Sequence, residues 1–231
     1  MNARWSRGPH AVAGESRGHG ALSPTLLAWL AEEPRATGTV LDVGTGTGRL
    51  ARALAPRAHR VLGIDTDGAA LVDARRHARR AGLGNVVFVV ADAEEADYRM
   101  LGRPNLVAAH LCMSDRIIER AAAGLPPGGV LVFAAFHVDQ WRETGRVSRF
   151  AYDEHRARAV LEAAAFRIER LEVEREVREF HSAAEALAYA GRFRPKWDGD
   201  GRWLGWERFV AAGGRTLTEG RLVVHARIGT A

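Results

Sequence analysis

At 231 residues, with 47% hydrophobic and 26% charged side chains, the chain is long enough for one domain with a substantial core and too evenly composed for a disordered, fibrous or membrane-embedded protein. The formal charge of +5 would suit an anionic partner, but Lys196 is the only lysine and the arginines are spread along the chain among 28 acids, so nucleic acid is not favoured as a partner. Cys112 is the only cysteine, which excludes an intrachain disulfide and a cysteine-based zinc site and fits a reducing, cytoplasmic setting.

Residues 1–20 are polar and Gly-rich without an apolar stretch of secretory type, and read as a flexible leader. From Ala21 helical and strand-like patterns alternate. LSPTLLAWLAEE predicts a helix with Ser23 as its cap and Pro24 at its first position. TVLDV is a first strand and GRLARALAP a helix closed by Pro56. RVLGID is a second strand, followed by a helix in DGAALVDARRHARRAG with an apolar stripe through Leu71, Val72 and Ala78 and a stop at Gly82. NVVFVVAD, apolar almost throughout, predicts a third strand buried on both faces. PNLVAAH is a fourth strand, SDRIIERAAAGL a helix capped by Ser114 or Asp115, and VLVFAAFH a fifth strand after the LPPGG turn. DEHRARAVLEAAAF is a helix and RIERLEVEREVREF a long edge-like strand. SAAEALAYAGR and RWLGWERFVAAGG then read as two helices joined by the loop FRPKWDGDG, before a last strand, RLVVHARI. This order predicts an α/β fold with a doubly wound, mostly parallel seven-stranded sheet and a helical insertion, residues 181–214, before the last strand.

VLDVGTGTGRLARALA, residues 40–55, places Gly44, Gly46 and Gly48 between a strand and a helix, with Asp42 just upstream. Free amides and a positive dipole end at the helix start, approached over glycines, make a ligand seat. GTGRLA at 46–51 satisfies the dinucleotide pattern G-x-G-x-x-G/A, but starts two residues after the first turn glycine.

Read with all three glycines and the acid, D-x-G-x-G-x-G resembles motif I of the class I S-adenosylmethionine-dependent methyltransferases. GIDTD, VVADAEE and LPPGGVLVF are similar to that family in order and spacing, and the resemblance spans roughly residues 21–180. It implies a Rossmann-like sheet with a reversed last strand and S-adenosylmethionine as cofactor. It also implies that Asp42 lies near the methionine amino group, with Gly44, Thr45, Gly46 and Gly48 forming the loop. Asp65 with Thr66 would be at the ribose, Asp92 with Ala93 at the adenine, and His110 at the edge of the reaction centre. The plain alternatives are that Asp42 only caps local amides, that Asp65 and Asp92 are solvated strand-end acids, and that His110 and Cys112 are packed side chains.

His110 and His137, at the exits of the fourth and fifth strands, are the general-base candidates because imidazole titrates near working pH. The nine histidines show no ligand spacing for a metal. The chain reads AAHLCMS where amino-group methylases carry an Asn- or Asp-Pro-Pro-aromatic motif, which turns the expectation toward a small-molecule acceptor. FAAFH and GRVSRFAY are similar to tellurite-resistance and other small-molecule methyltransferases. An RNA or protein methylase, a dehydrogenase and a non-catalytic binding module are the competing readings. The stretch from Trp141 to Tyr152 and the insertion, with Phe193, Trp197, Trp203 and Trp206, concentrate aromatics where a lid or a homodimer interface would lie.

Overall fold

Helix-period and strand-period segments that each hide one apolar face assemble around one sheet. The structure, a computed structural model, describes residues 21–229; the leader expected at 1–20 lies outside the described residues. The strands are β1 (Thr39–Val43), β2 (Arg60–Asp65), β3 (Val86–Val90), β4 (Leu106–His110), β5 (Val130–His137), β6 (Ala151–Tyr152), β7 (Phe166–Glu179) and β8 (Thr216–Ile228). The helices are α1 (Pro24–Glu32), α2 (Arg49–Leu54), α3 (Gly68–Arg80), α4 (Asp115–Gly124), α5 (Glu154–Ala163), α6 (Ala183–Ala190), α7 (Arg194–Asp200) and α8 (Arg202–Ala211). The sheet runs β3-β2-β1-β4-β5-β8-β7, with β8 antiparallel to both neighbours, so the doubly wound fold with a reversed last strand is observed. The two-residue β6, beside the end of β5, is an eighth strand that the sequence pattern did not announce.

Alternate residues of the central strands feed two cores. Val40, Leu106, Ala108 and Val132 pack under α1, α2 and α3, whereas Leu41, Val107, Ala109 and Phe133 pack under α4 and α5. Ser23 caps α1 by accepting the Leu26 amide at 2.9 Å, an arrangement worth about 1 kcal/mol. The expectation that β3 is buried on both faces fails: Phe88 alone is buried, while Val87, Val89 and Val90 are exposed. β3 is an edge strand, and α3 shields only the face that carries Phe88. Among the described residues no helix is long and apolar enough to cross a membrane.

Between β7 and β8 the insertion forms as expected, with a further helix, α7, in the segment read as a loop. It has its own core, in which Trp197 and Trp206 are fully buried with Phe180 and Phe193 around them. Trp141 joins that core from the main fold at 5.0 Å from the Trp197 ring. α8 passes so close to the Thr144 carbonyl that a side chain at Gly205 would collide with it. The last strand is longer than RLVVHARI: β8 starts at Thr216 and pairs with β7 beyond the reach of β5.

Candidate functional site

The strand order reverses between β1 and β4, and the loops leaving their C-terminal ends diverge there, as ligand crevices of open α/β sheets require. A cavity of about 530 Å³ opens at this point, walled by Gly44, Asp65, Thr66, Ala91–Glu94, Leu111–Ser114 and, opposite, Phe136 and Phe150.

The glycine loop has one job per glycine. Gly46, at φ +53°, has nothing within 4 Å of where a side chain would stand, so its backbone faces open space. Gly48, at φ +76°, is pressed on the Phe88 ring and on Ala74, so it serves the packing of α2 against β3 and α3. Beside Gly44 the Cys112 side chain fills the space a Cβ would need. Asp42 is buried beneath the loop, off the cavity wall: its Oδ2 accepts the Thr45 hydroxyl at 2.6 Å and the Ala51 amide at 3.0 Å. Burial raises its carboxyl to about 7, against those two hydrogen bonds and with a further push from Asp65. Asp65 Oδ2 accepts the Gly46 amide at 2.8 Å and Oδ1 the Asp67 amide at 2.9 Å, which leaves each oxygen acceptor capacity for a ligand.

After β3, Asp92 Oδ1 accepts the Glu94 amide at 2.8 Å, and Oδ2 carries no hydrogen bond among the described residues. The loop is pinned from outside. The Tyr98 hydroxyl donates to the Ala93 carbonyl at 2.7 Å, Ser114 donates to Glu94 at 2.6 Å, and Arg120 donates to the Glu94 carbonyl at 2.8 Å. Leu111 on the cavity wall holds φ +59°, a left-handed conformation costly for a bulky residue. Burial and the surrounding acids raise the Cys112 thiol to about 11, which keeps it protonated and poor as a nucleophile.

Neither histidine lines the cavity. His110 Nε2 accepts the Ser23 amide at 3.2 Å; burial, then Arg221 and Arg49, lower its ring to about 3, so it is held neutral. His137 is buried, with Nδ1 accepting the Asp139 amide at 3.2 Å and Nε2 3.4 Å from Glu154. One group of metal-capable side chains exists among the described residues, Glu33, Glu169 and His225, away from the cavity. Arg227 donates to both carboxylates there, and the pairs read as a network of ions already matched within the protein.

A second cavity, of about 360 Å³, shares Phe136, Arg149 and Phe150 with the first and reaches the insertion at Lys196, Asp200 and Arg202. Of the wall residues that sequence reasoning left out, Arg149 and Phe150 fall in the aromatic stretch it marked. Leu111, Met113, Glu94 and Arg202 carried no local signal.

The cavity fits an aminoacyl-ribosyl-adenine better than a dinucleotide. Two strand-end carboxylates with spare acceptor capacity line the cavity, Asp65 accepts the amide of Gly46, whose backbone faces open space, and the Ala51 amide, which a pyrophosphate would seek at the start of α2, is taken by Asp42. Residues 40–129 match the family model described as a methyltransferase domain. A ubiquinone biosynthesis O-methyltransferase of Acinetobacter baylyi is 32% identical over 123 residues, which is 50% of this chain and 52% of the relative. A protein-L-isoaspartate O-methyltransferase of a Ruegeria species is 38% identical over 93 residues, 40% of this chain and 38% of the relative. The chain thus spans about half the length of the first of these relatives and less of the second. Among solved structures, the fold is similar to that of an S-adenosylmethionine-dependent methyltransferase from Mesorhizobium loti, with a TM-score of 0.54 at 21% identity over 87% of this chain and 95% of that one. It is also similar to phosphoethanolamine N-methyltransferase 2 of Haemonchus contortus in complex with S-adenosylhomocysteine, with a TM-score of 0.56 at 18% identity over 90% of this chain and 53% of that one. Motif, sheet order and family match agree: residues 40–129 match a methyltransferase domain, and they sit in a sheet with the fold of the solved methyltransferases.

Proposed function

We propose that the protein transfers a methyl group from S-adenosylmethionine to a small-molecule acceptor. The observation that carries this reading is the pair of carboxylates, Asp65 and Asp92, on the wall of one cavity, with Asp65 also accepting the Gly46 amide. In this reading Asp65 holds the ribose hydroxyls with Thr66 beside it, Asp92 accepts from the adenine amine with Ala93 beside it, and Gly44, Thr45 and Gly46 give the backbone along the aminoacyl arm. Asp42 and Gly48 keep that loop in shape from beneath.

S-adenosylmethionine supplies a methyl group on a cationic sulfur: transfer breaks the S–CH3 bond, leaves its electron pair on sulfur, and forms a bond to the acceptor's lone pair. What remains for this chain is to hold the lone pair in line and to exclude water. The apolar walls at Met113, Ile117 and Phe136 suit that task. The acceptor's proton leaves to water or to a base; His110 or His137 would first have to give up the contacts described above to take it.

The acceptor side rests on this chain's own cavities. The curated relatives act on different acceptors by name, and the family match ends at residue 129, before the second cavity and the insertion. Calorimetry tests the cofactor step first. S-adenosylmethionine and S-adenosylhomocysteine should bind and NAD(H) should not; preferential NAD(H) binding overturns the reading. Labelled methyl transfer to metabolite and RNA pools then separates a small-molecule acceptor from RNA.

A further inference from the structure

The walls of the second cavity divide by chemistry. Phe136, Trp141 and Phe150 give aromatic surface, while Arg146, Arg149, Lys196 and Arg202 bring four cations against one carboxylate, Asp200. Arg202 is only 8% exposed. One end of its guanidinium pairs with Asp200, and the group lies 5.9 Å from the centre of the Trp141 ring. Its Nε is buried without a hydrogen-bond partner. A buried donor without an acceptor costs about 1–3 kcal/mol, and a planar guanidinium held by packing is preorganised for a planar anion. Arg146, Arg149 and Lys196 form no ion pair among the described residues. The aromatic wall is continuous with the first cavity, because Phe136 and Phe150 line both.

We propose that the second cavity is the acceptor's anion subsite: it takes a carboxylate or phosphate carried on an apolar, aromatic-sized body that lies against Phe136 and Phe150 and points its nucleophile into the first cavity. The assignment of this ligand as methyl acceptor rests on the methyltransferase reading; the binding of the anion does not. Arg202 anchors the oxyanion through the guanidinium it brings to the cavity wall, and the exposed Arg146, Arg149 and Lys196 draw the anion in.

Calorimetry with benzoate, naphthoate and phenyl phosphate, each against its neutral counterpart, methyl benzoate, methyl naphthoate and phenol, tests this with and without saturating S-adenosylhomocysteine. At least one anion should bind about tenfold or more tightly than its neutral counterpart. That preference should fall to within about threefold in Arg202→Gln and recover in part in Arg202→Lys. Because Arg202 is buried, the exposed pair Arg146→Ala with Lys196→Ala serves as a second variant. It should lower the preference about threefold or more, with added salt lowering it further. Carboxylate against phosphate preference identifies the anion. Equal affinity for anions and neutral counterparts, or no anion binding to protein that binds S-adenosylhomocysteine, overturns the subsite and leaves the methyltransferase reading intact. Anion binding without any S-adenosylhomocysteine binding does the reverse.

Discussion

In the half of the sheet built from β1 to β4, neighbouring strands are parallel, and most of the first cavity's wall is made by loops that directly follow strands. In the half built from β5, β7 and β8, one strand is reversed, three helices are inserted, and the second cavity draws on the exit of β5, on residues 146–150 and on α7 and α8. The first region is specified by backbone demands, namely positive φ at glycine, a buried acid on a helix start, and acids at strand ends. The second is specified by side chains far apart in sequence that meet only after packing. Cofactor seats of the first kind can be shared among proteins with different acceptors, while acceptor sites of the second kind are particular to each chain.

The comparison breaks if the two regions fold as one unit. Trp206→Ala removes a fully buried ring from the insertion and should destabilise it by about 3–5 kcal/mol, seen as loss of near-ultraviolet tryptophan dichroism. S-adenosylhomocysteine affinity should survive in the same sample; loss of both signals together would dissolve the distinction. Within the first region, Asp65→Ala should weaken S-adenosylmethionine by about 1.5–3 kcal/mol, because it removes the proposed ribose acceptor and frees the Gly46 amide. Calorimetry measures it, and an affinity within twofold of the parent would remove Asp65 from the site.

Asp42 sharpens the comparison through pH. Its carboxyl stands at about 7 in the folded protein against an ordinary value of 3.8, so the folded state holds the proton more tightly. That contribution to stability is complete below the unfolded value and is lost as pH rises through the folded one. Urea unfolding of the parent should therefore show stability declining between those two values relative to Asp42→Asn, with the difference level above them. The smallest effect is expected for His110→Gln and His137→Gln, which should keep turnover within about twofold, since both rings are engaged away from the cavity. A loss of about a hundredfold or more in either would establish that histidine as the base.

The sheet order, the cap at Ser23 and the acids at 65 and 92 were legible because each answers a local rule. Val87 and Val89 misled because an apolar strand looks the same whether a helix covers its second face or solvent does. α7 was hidden in FRPKWDGDG, where Pro195 and two glycines read as a loop, and its stability comes from Trp197 buried against Trp141 and Phe193. Arg202 gave no warning either: an arginine after Gly201 is ordinary surface chemistry until Trp141 closes over it.

The insertion leaves and rejoins the sheet at adjacent points. Glu179 faces Thr216 in the β7–β8 ladder, and the Phe180 amide donates to the Arg215 carbonyl at 2.8 Å just beyond it. A segment whose two ends are already hydrogen-bonded neighbours can change length and content without moving either strand, since its closure entropy is set by the ladder and grows only slowly with length. The half proposed to hold the acceptor is in this sense a cassette. A segment grafted between Phe180 and Arg215 inherits the parallel half of the sheet unchanged, provided it presents an apolar face to Trp141, Phe180 and Leu217, side chains outside it that the present helices cover.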